Sequence, residues 1–127
     1  MATIGGVLET GVDIVEIDRV SQLVARYGDR FGRRVFGPDE WYAFKDRPHS
    51  LAARFAAKEA VIKALGSPAM ALHEIRVVRP PGQRPEVELV GRARARANEL
   101  GVRRIALSLS HAHVYAVAFV VVELDGS

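Results

Sequence analysis

Ser50-Leu51-Ala52-Ala53-Arg54-Phe55-Ala56-Ala57-Lys58-Glu59-Ala60-Val61-Ile62-Lys63-Ala64-Leu65-Gly66 is the stretch around which the chain is organised. Its alanines, leucines, lysines and glutamate are strong helix formers. Ser50 follows Pro48-His49 and is placed to cap the first free amides. Gly66 supplies a left-handed stop, and Pro68 prevents the helix from resuming. At about 100° per residue, Leu51, Phe55, Ile62 and Leu65 fall on one apolar stripe. Glu59 lies at the edge of that stripe beside Phe55 and Ala52. Lys58 lies on its other side, and Lys63 is one turn beyond Glu59. A carboxylate on an apolar face costs stability unless it is paired or bound to a metal. Glu59 is therefore the first candidate for function. A plain surface pair with Lys63 at i,i+4 is the alternative.

The 127 residues suit one domain, spanning 1–127, with a real core but no deep cleft. Hydrophobic residues make up 49% of the chain, which excludes a disordered polypeptide. There is no cysteine. Disulfides, thiol nucleophiles and thiolate metal sites are therefore excluded, and any metal must use carboxylate, histidine or carbonyl ligands. The sequence contains no secretory leader pattern and no apolar run long enough to span a membrane, so a cytoplasmic protein with no membrane partner is expected. The net charge is +3, and arginine greatly outnumbers lysine. That balance favours an anionic ligand or an acidic protein partner over nucleic acid.

On the N-terminal side of the central helix, Gly11-Val12-Asp13-Ile14-Val15-Glu16-Ile17 reads as a strand, preceded by a lead-in with Ile4, Val7 and Leu8. Asp13 shares a face with Val15 and Ile17, so it sits at a strand end or is held by a cation. Asp18 is read as the cap of a helix over Arg19–Tyr27, closed by Gly28, with Val20, Leu23, Val24 and Tyr27 inward. Arg19, Arg26 and Arg30 then form a solvated basic face or a docking face for an acidic helix. Pro38 opens a short helix through Asp39, Glu40, Trp41 and Phe44, with Trp41 in the core or a subunit contact.

On the C-terminal side, Leu72–Arg79 and Pro85–Val90 read as paired strands around Pro80-Pro81-Gly82-Gln83. Gly91–Leu100 reads as a helix with Ala93 and Ala97 inward and Arg92, Arg94 and Arg96 solvated. Ile105 to Ser110 alternates as a strand. His111-Ala112-His113 is read as a tight turn and Val114–Glu123 as an apolar strand, whose Val114–Val122 stretch is compatible with burial on both faces. Leu124–Ser127 is read as a frayed tail.

The common nucleotide, hydrolase and zinc signatures are missing. What remains is Asp13, Glu59 flanked by Lys58 and Lys63, Arg54 one turn earlier, and Ser110-His111. Two carboxylates plus a substrate phosphate are the usual way a protein holds magnesium. Lysines and an arginine on the same helix add phosphate-binding charge. The set points to a polyphosphate or pyrophosphate ligand bound with Mg2+.

Gly11-Val12-Asp13-Ile14-Val15-Glu16-Ile17, with Arg19 after it, resembles the first motif of the holo-[acyl-carrier-protein] synthases. Arg54-Phe55-Ala56-Ala57-Lys58-Glu59-Ala60-Val61-Ile62-Lys63-Ala64 resembles their second motif nearly letter for letter. Leu107-Ser108-Leu109-Ser110-His111 is similar to their closing Ser-x-Ser-His. Order and spacing agree from about Gly11 to Glu123. The chain departs from the family at Glu9-Thr10, in a longer lead-in and in a short segment between Gly66 and Glu74.

The resemblance implies a 4′-phosphopantetheinyl transferase. Such an enzyme moves the phosphopantetheine arm of coenzyme A to a serine of apo acyl carrier protein and releases adenosine 3′,5′-bisphosphate, in support of fatty acid biosynthesis. It implies an α+β fold with a curved antiparallel sheet around the long central helix, and a homotrimer with active sites between subunits. By motif position, Asp13 and Glu59 match magnesium ligands. Arg54, Lys58 and Lys63 match positions near the coenzyme A phosphates, and Ser110 and His111 the adenosine end. Arg19, Leu23 and Arg26 match the face that meets the carrier. Glu59 is the candidate base, with Asp13 and Lys63 completing the catalytic set. An inactive carrier-binding module and a magnesium-dependent phosphoesterase are the alternatives from other classes.

Overall fold

A computed structural model describes residues 6–126. Strand β1 spans Gly6–Glu16 and leads into helix α1, Ile17–Tyr27. Short helices α2, Asp29–Val35, and α3, Pro38–Phe44, precede the long helix α4, Pro48–Leu65. Strands β2, Ile75–Val78, and β3, Glu86–Leu89, form a small antiparallel pair. Helix α5, Gly91–Leu100, then feeds the hairpin of β4, Val102–His111, and β5, Tyr115–Asp125. The main sheet has the order β1-β5-β4, antiparallel throughout. The expected α+β arrangement, with antiparallel strands against a long central helix, is what the chain adopts. No helix among the described residues is long and apolar enough to cross a membrane.

The core is the contact between α4 and the inner face of the main sheet. Gly11, Val15, Ala116, Ala118, Val120 and Val122 face inward from the strands. Ala52, Ala53, Ala56, Ala57, Ala60, Val61 and Ala64 meet them or the flanking helices. Small residues on both sides allow a close approach, and Gly11 marks its tightest point. A Cβ there would lie 2.0 Å from the carbonyl oxygen of Ala60. A larger residue cannot be accommodated without separating strand from helix.

Several sequence expectations are corrected. The strand begins at Gly6, so Val7 and Leu8 belong to it; Ile4 lies outside the described residues. Ser50 does not cap α4, because Pro48 already occupies its first turn and Arg47 is the capping position. Asp18 lies inside the first turn of α1, which Glu16 precedes. The segment Phe31 to Phe36, left without an element by its pattern, is mostly helix α2. His111 ends β4 and is not a turn residue, and β5 continues through Leu124 and Asp125, where a frayed tail is expected. Ser127 lies outside the described residues. The apolar stripe of α4 also differs. Phe55 and Ile62 are half-buried, and the alanines form the buried faces. Strand β5 is not covered on both sides, since Phe119 is 45% exposed while its neighbours Ala118 and Val120 are buried.

Replacing Gly11 with Ala tests the packing. Unfolding in urea should show a loss of about 3 kcal/mol, the upper range for overpacking a tight core. An unchanged midpoint would mean that the strand and helix tolerate the extra carbon.

Candidate functional site

Asp13 follows Gly11 by two residues, so the strand's period of two places it on the same inner face, directed at α4. The contact of Gly11 with Ala60 fixes which turn of the helix it meets. Glu59 precedes Ala60, and Lys63 lies one turn beyond Glu59. Lys63 Nζ donates to Asp13 Oδ1 at 2.8 Å and to the Val12 carbonyl at 3.2 Å. The simple Glu59–Lys63 surface pair is therefore replaced by a bridge between helix and strand.

Glu59 is half-buried. Burial raises its carboxyl above the ordinary value, and the like charge of Asp13 raises it further; Lys63 and Arg19 oppose the shift. Asp13, Glu59, Lys63 and Arg19 thus share one electrostatic neighbourhood assembled from β1, α4 and α1. Among the described residues, no group of three or more His, Asp or Glu side chains is gathered to hold a metal. The Asp13–Glu59 pair nevertheless fits a magnesium ion. Both side chains offer hard oxygens, and magnesium commonly takes one or two carboxylates and fills its shell with phosphate oxygens and water.

Lys58 is corrected. The next residue in sequence, Glu59, points toward β1, but one step of about 100° turns Lys58 into the interior. Its ammonium is fully buried and donates to Glu40 Oε1 at 2.7 Å, to the Leu72 carbonyl and to the Ile75 carbonyl. Those three acceptors use its three hydrogens, so none is left for a coenzyme phosphate. Burial lowers its pKa to about 8, against the opposing charge of Glu40. Glu40 also accepts from the amides of Gly37 and Val77. Nothing in the sequence around Glu40 distinguishes it from a surface residue of a short helix, and its role was not legible there.

Arg54 lies over the Phe44 ring, 3.6 Å from its centroid, and is 7% exposed. Desolvation lowers its guanidinium pKa, with Glu40 opposing. Its Nη1 reaches the Ser50 carbonyl at 3.5 Å, while its Nε has no hydrogen-bond partner. Ser110 and His111 occupy adjacent strand positions and so face opposite sides of the sheet. Ser110 pairs across the sheet with Val117, and His111 with Ala116, whose side chain lies on the inner face with Asp13. The His111 ring contacts that of His49, with 5.3 Å between centroids. His49 was missed in the sequence, because the hairpin that brings His111 to the start of α4 is a tertiary event.

On α1, Arg19 and Arg26 are exposed and Leu23 is half-buried. The face continues into a groove of about 660 Å³ lined by Leu23, Tyr27, Arg30, Phe31, Arg33 and Arg34. Arg26 and Arg30 both sit near the Tyr27 ring, at 5.3 and 5.9 Å.

A profile described as the 4′-phosphopantetheinyl transferase superfamily matches residues 9–120. A holo-[acyl-carrier-protein] synthase of Herpetosiphon aurantiacus is 49% identical over 123 residues, covering 90% of this chain and 97% of the relative. One from Dehalococcoides mccartyi is 50% identical over 117 residues, covering 91% and 98%. Among solved structures, Helicobacter pylori holo-[acyl-carrier-protein] synthase in complex with coenzyme A superposes with a TM-score of 0.80 at 31% identity, covering 89% of this chain and 98% of that one.

Glu59→Gln isolates the strain at the site. A carboxyl whose pKa is raised by folding is charged at a cost above that pKa, and the cost disappears as pH falls through it. At pH 7.5 in chelator, the neutral isostere should therefore melt at a higher temperature than the parent. A lower melting temperature would show that the Glu59 charge stabilises the fold.

Proposed function

The chain belongs to the holo-[acyl-carrier-protein] synthases of the 4′-phosphopantetheinyl transferase superfamily, and from that premise we propose how its own residues carry out the transfer. The observation that carries this reading is the meeting of Asp13, Glu59 and Lys63 where β1 crosses α4. The co-substrate is coenzyme A, and the acceptor is a serine of an apo acyl carrier protein. Serine Oγ forms a bond to the phosphorus bearing the pantetheine arm. The bond from that phosphorus to the bridging oxygen breaks, and adenosine 3′,5′-bisphosphate leaves with the electron pair.

Glu59 takes the serine proton. Its carboxylate is the acceptor that α4 presents to the site beside Asp13 and Lys63. Lys63, 55% exposed, reaches outward from its anchor on Asp13 and donates to the departing bisphosphate. Asp13 and Glu59 would hold Mg2+. When bound, the ion neutralises charge on the pyrophosphate. Arg54 contributes positive charge from the first half of α4, and Ser110 and His111 line the adenosine end. Arg19, Leu23 and Arg26 receive the acidic carrier. Because Arg19 also acts on Glu59, docking occurs beside the reacting groups. The enzyme works in the cytoplasm and supplies holo-carrier for fatty acid biosynthesis.

The assembly is a homotrimer. The outer face of the sheet supports this reading: Leu8 is 64% exposed and Ile14 63%, with Val12, Tyr115 and Phe119 on the same face. A contiguous apolar face of that kind marks an interface.

Intact mass of apo acyl carrier protein should rise by about 340 Da with coenzyme A and Mg2+, the ion being needed to neutralise the pyrophosphate. Chelator or Glu59→Ala should abolish the gain. Free bisphosphate without modified carrier would indicate a phosphoesterase instead. Sedimentation equilibrium should give three chains for the parent and one for Phe119→Glu, and a monomeric parent would overturn the assembly.

A further inference from the structure

Between α2, α3 and β2 lies a cavity of about 400 Å³, within the size range of small-molecule sites. Two glycines open it. A Cβ on Gly32 would lie 2.3 Å from the Trp41 indole, and one on Gly37 would lie 2.7 Å from Arg76 Nε. Phe36, Trp41 and Tyr42 supply aromatic walls, and the rings of Phe36 and Trp41 stack with 6.1 Å between centroids. The indole N–H is already satisfied by Asp29 Oδ1 at 2.8 Å. The cavity shares Arg33 with the groove beside α1, and it shares no residue with the meeting of Asp13, Glu59 and Lys63.

Arg33 and Arg76 line the cavity and take part in no ion pair among the described residues. Arg76 stands opposite Glu88 across the β2–β3 pair, where a cross-strand ion pair is the ordinary outcome. Its guanidinium instead lies over Gly37, with Nε donating to the His73 carbonyl at 3.4 Å. There it acts against the positive charge of buried Lys58. Glu40, beneath both, is already engaged by Lys58 and by the amides of Gly37 and Val77. Asp29 is the one acid of the lining, against two arginines. Apolar walls therefore meet a positive charge that the chain does not neutralise.

We propose that this cavity binds a small arylalkyl carboxylate. The ring lies among Phe36, Trp41 and Tyr42, where aromatic contacts add to burial. The carboxylate pairs with the Arg76 guanidinium, whose planar fork matches it, and Arg33 adds positive charge beside it. The site goes beyond the transfer reaction and does not depend on it. Because α3 carries Glu40, the acceptor of Lys58, an occupant fastens α3 more firmly to α4.

Trp41 is the chain's single tryptophan, so its fluorescence reports the cavity directly. The parent is titrated with 3-phenylpropionate and with its neutral amide. The acid should change the Trp41 emission saturably and bind about tenfold more tightly than the amide, the size of one partly screened charge-assisted hydrogen bond. It should also raise the melting temperature, since it binds only the folded chain. Arg76→Gln should abolish the preference for the acid, and Arg76→Lys should keep it. Arg33→Gln, at an exposed position, should reduce it and gives the same reading if Arg76→Gln fails to fold. Arg30→Gln, in the groove beside α1, should leave it unchanged. No saturable change in emission, or equal binding of acid and amide, would overturn the proposal. So would a preference that survives both Arg76→Gln and Arg33→Gln, or one that is lost in Arg30→Gln.

Discussion

The close approach of Gly11 to Ala60 governs the rest of the molecule. The missing side chain lets β1 lie against the backbone of α4, and the alanines of helix and sheet extend the contact in both directions. Since strand side chains repeat every two residues and helix side chains every turn, this single contact sets the register of everything nearby. Asp13 must then face the turn that carries Glu59 and Lys63. The candidate carboxylates Asp13 and Glu59 are brought together by packing, not by any attraction between them. Like charges at this spacing oppose assembly, and the apolar contact outweighs them.

The second anchor is the buried ion pair of Glu40 and Lys58. Its charges are costly to desolvate, and they are tolerated because almost every hydrogen-bonding position is filled. Glu40 accepts from Lys58 and from two amides, and Lys58 donates to two carbonyls besides. Those amides and carbonyls belong to the entrance of α3 and to the segment around β2, so the pair fastens both to the middle of α4. Consecutive residues of one motif thereby divide their work. Lys58 holds the interior and Glu59 faces the site. A substitution at Lys58 that abolished activity would therefore speak first to the fold.

The sheet places its two faces to different uses. The inner face is small and apolar and receives the helix. The outer face exposes Val12, Ile14, Tyr115 and Phe119, although the strands that bear them are central to the fold. Ser110 faces outward and His111 inward from adjacent positions. A single ligand meeting both from this chain must therefore pass around the end of β4.

The sequence by itself determined the long helix, its stop at Gly66, the strand that carries Asp13, the final hairpin strands and the helix over Gly91–Leu100. These are local consequences of propensity, periodicity and glycine. It also singled out Asp13, Glu59 and Lys63, because charged residues on apolar elements stand out, and the three motifs in register pointed to the family. Only the tertiary structure decided where those charges go. Lys63 pairs with Asp13 rather than with Glu59, since packing against β1 offered it a better acceptor than its helical neighbour. Lys58 turned inward because Glu40, 18 residues away, waited there. The buried faces of α4 are its alanines rather than Phe55 and Ile62, because the depth of a contact is set by how closely two backbones can approach. That depends on both partners, and one helix read alone does not contain the other.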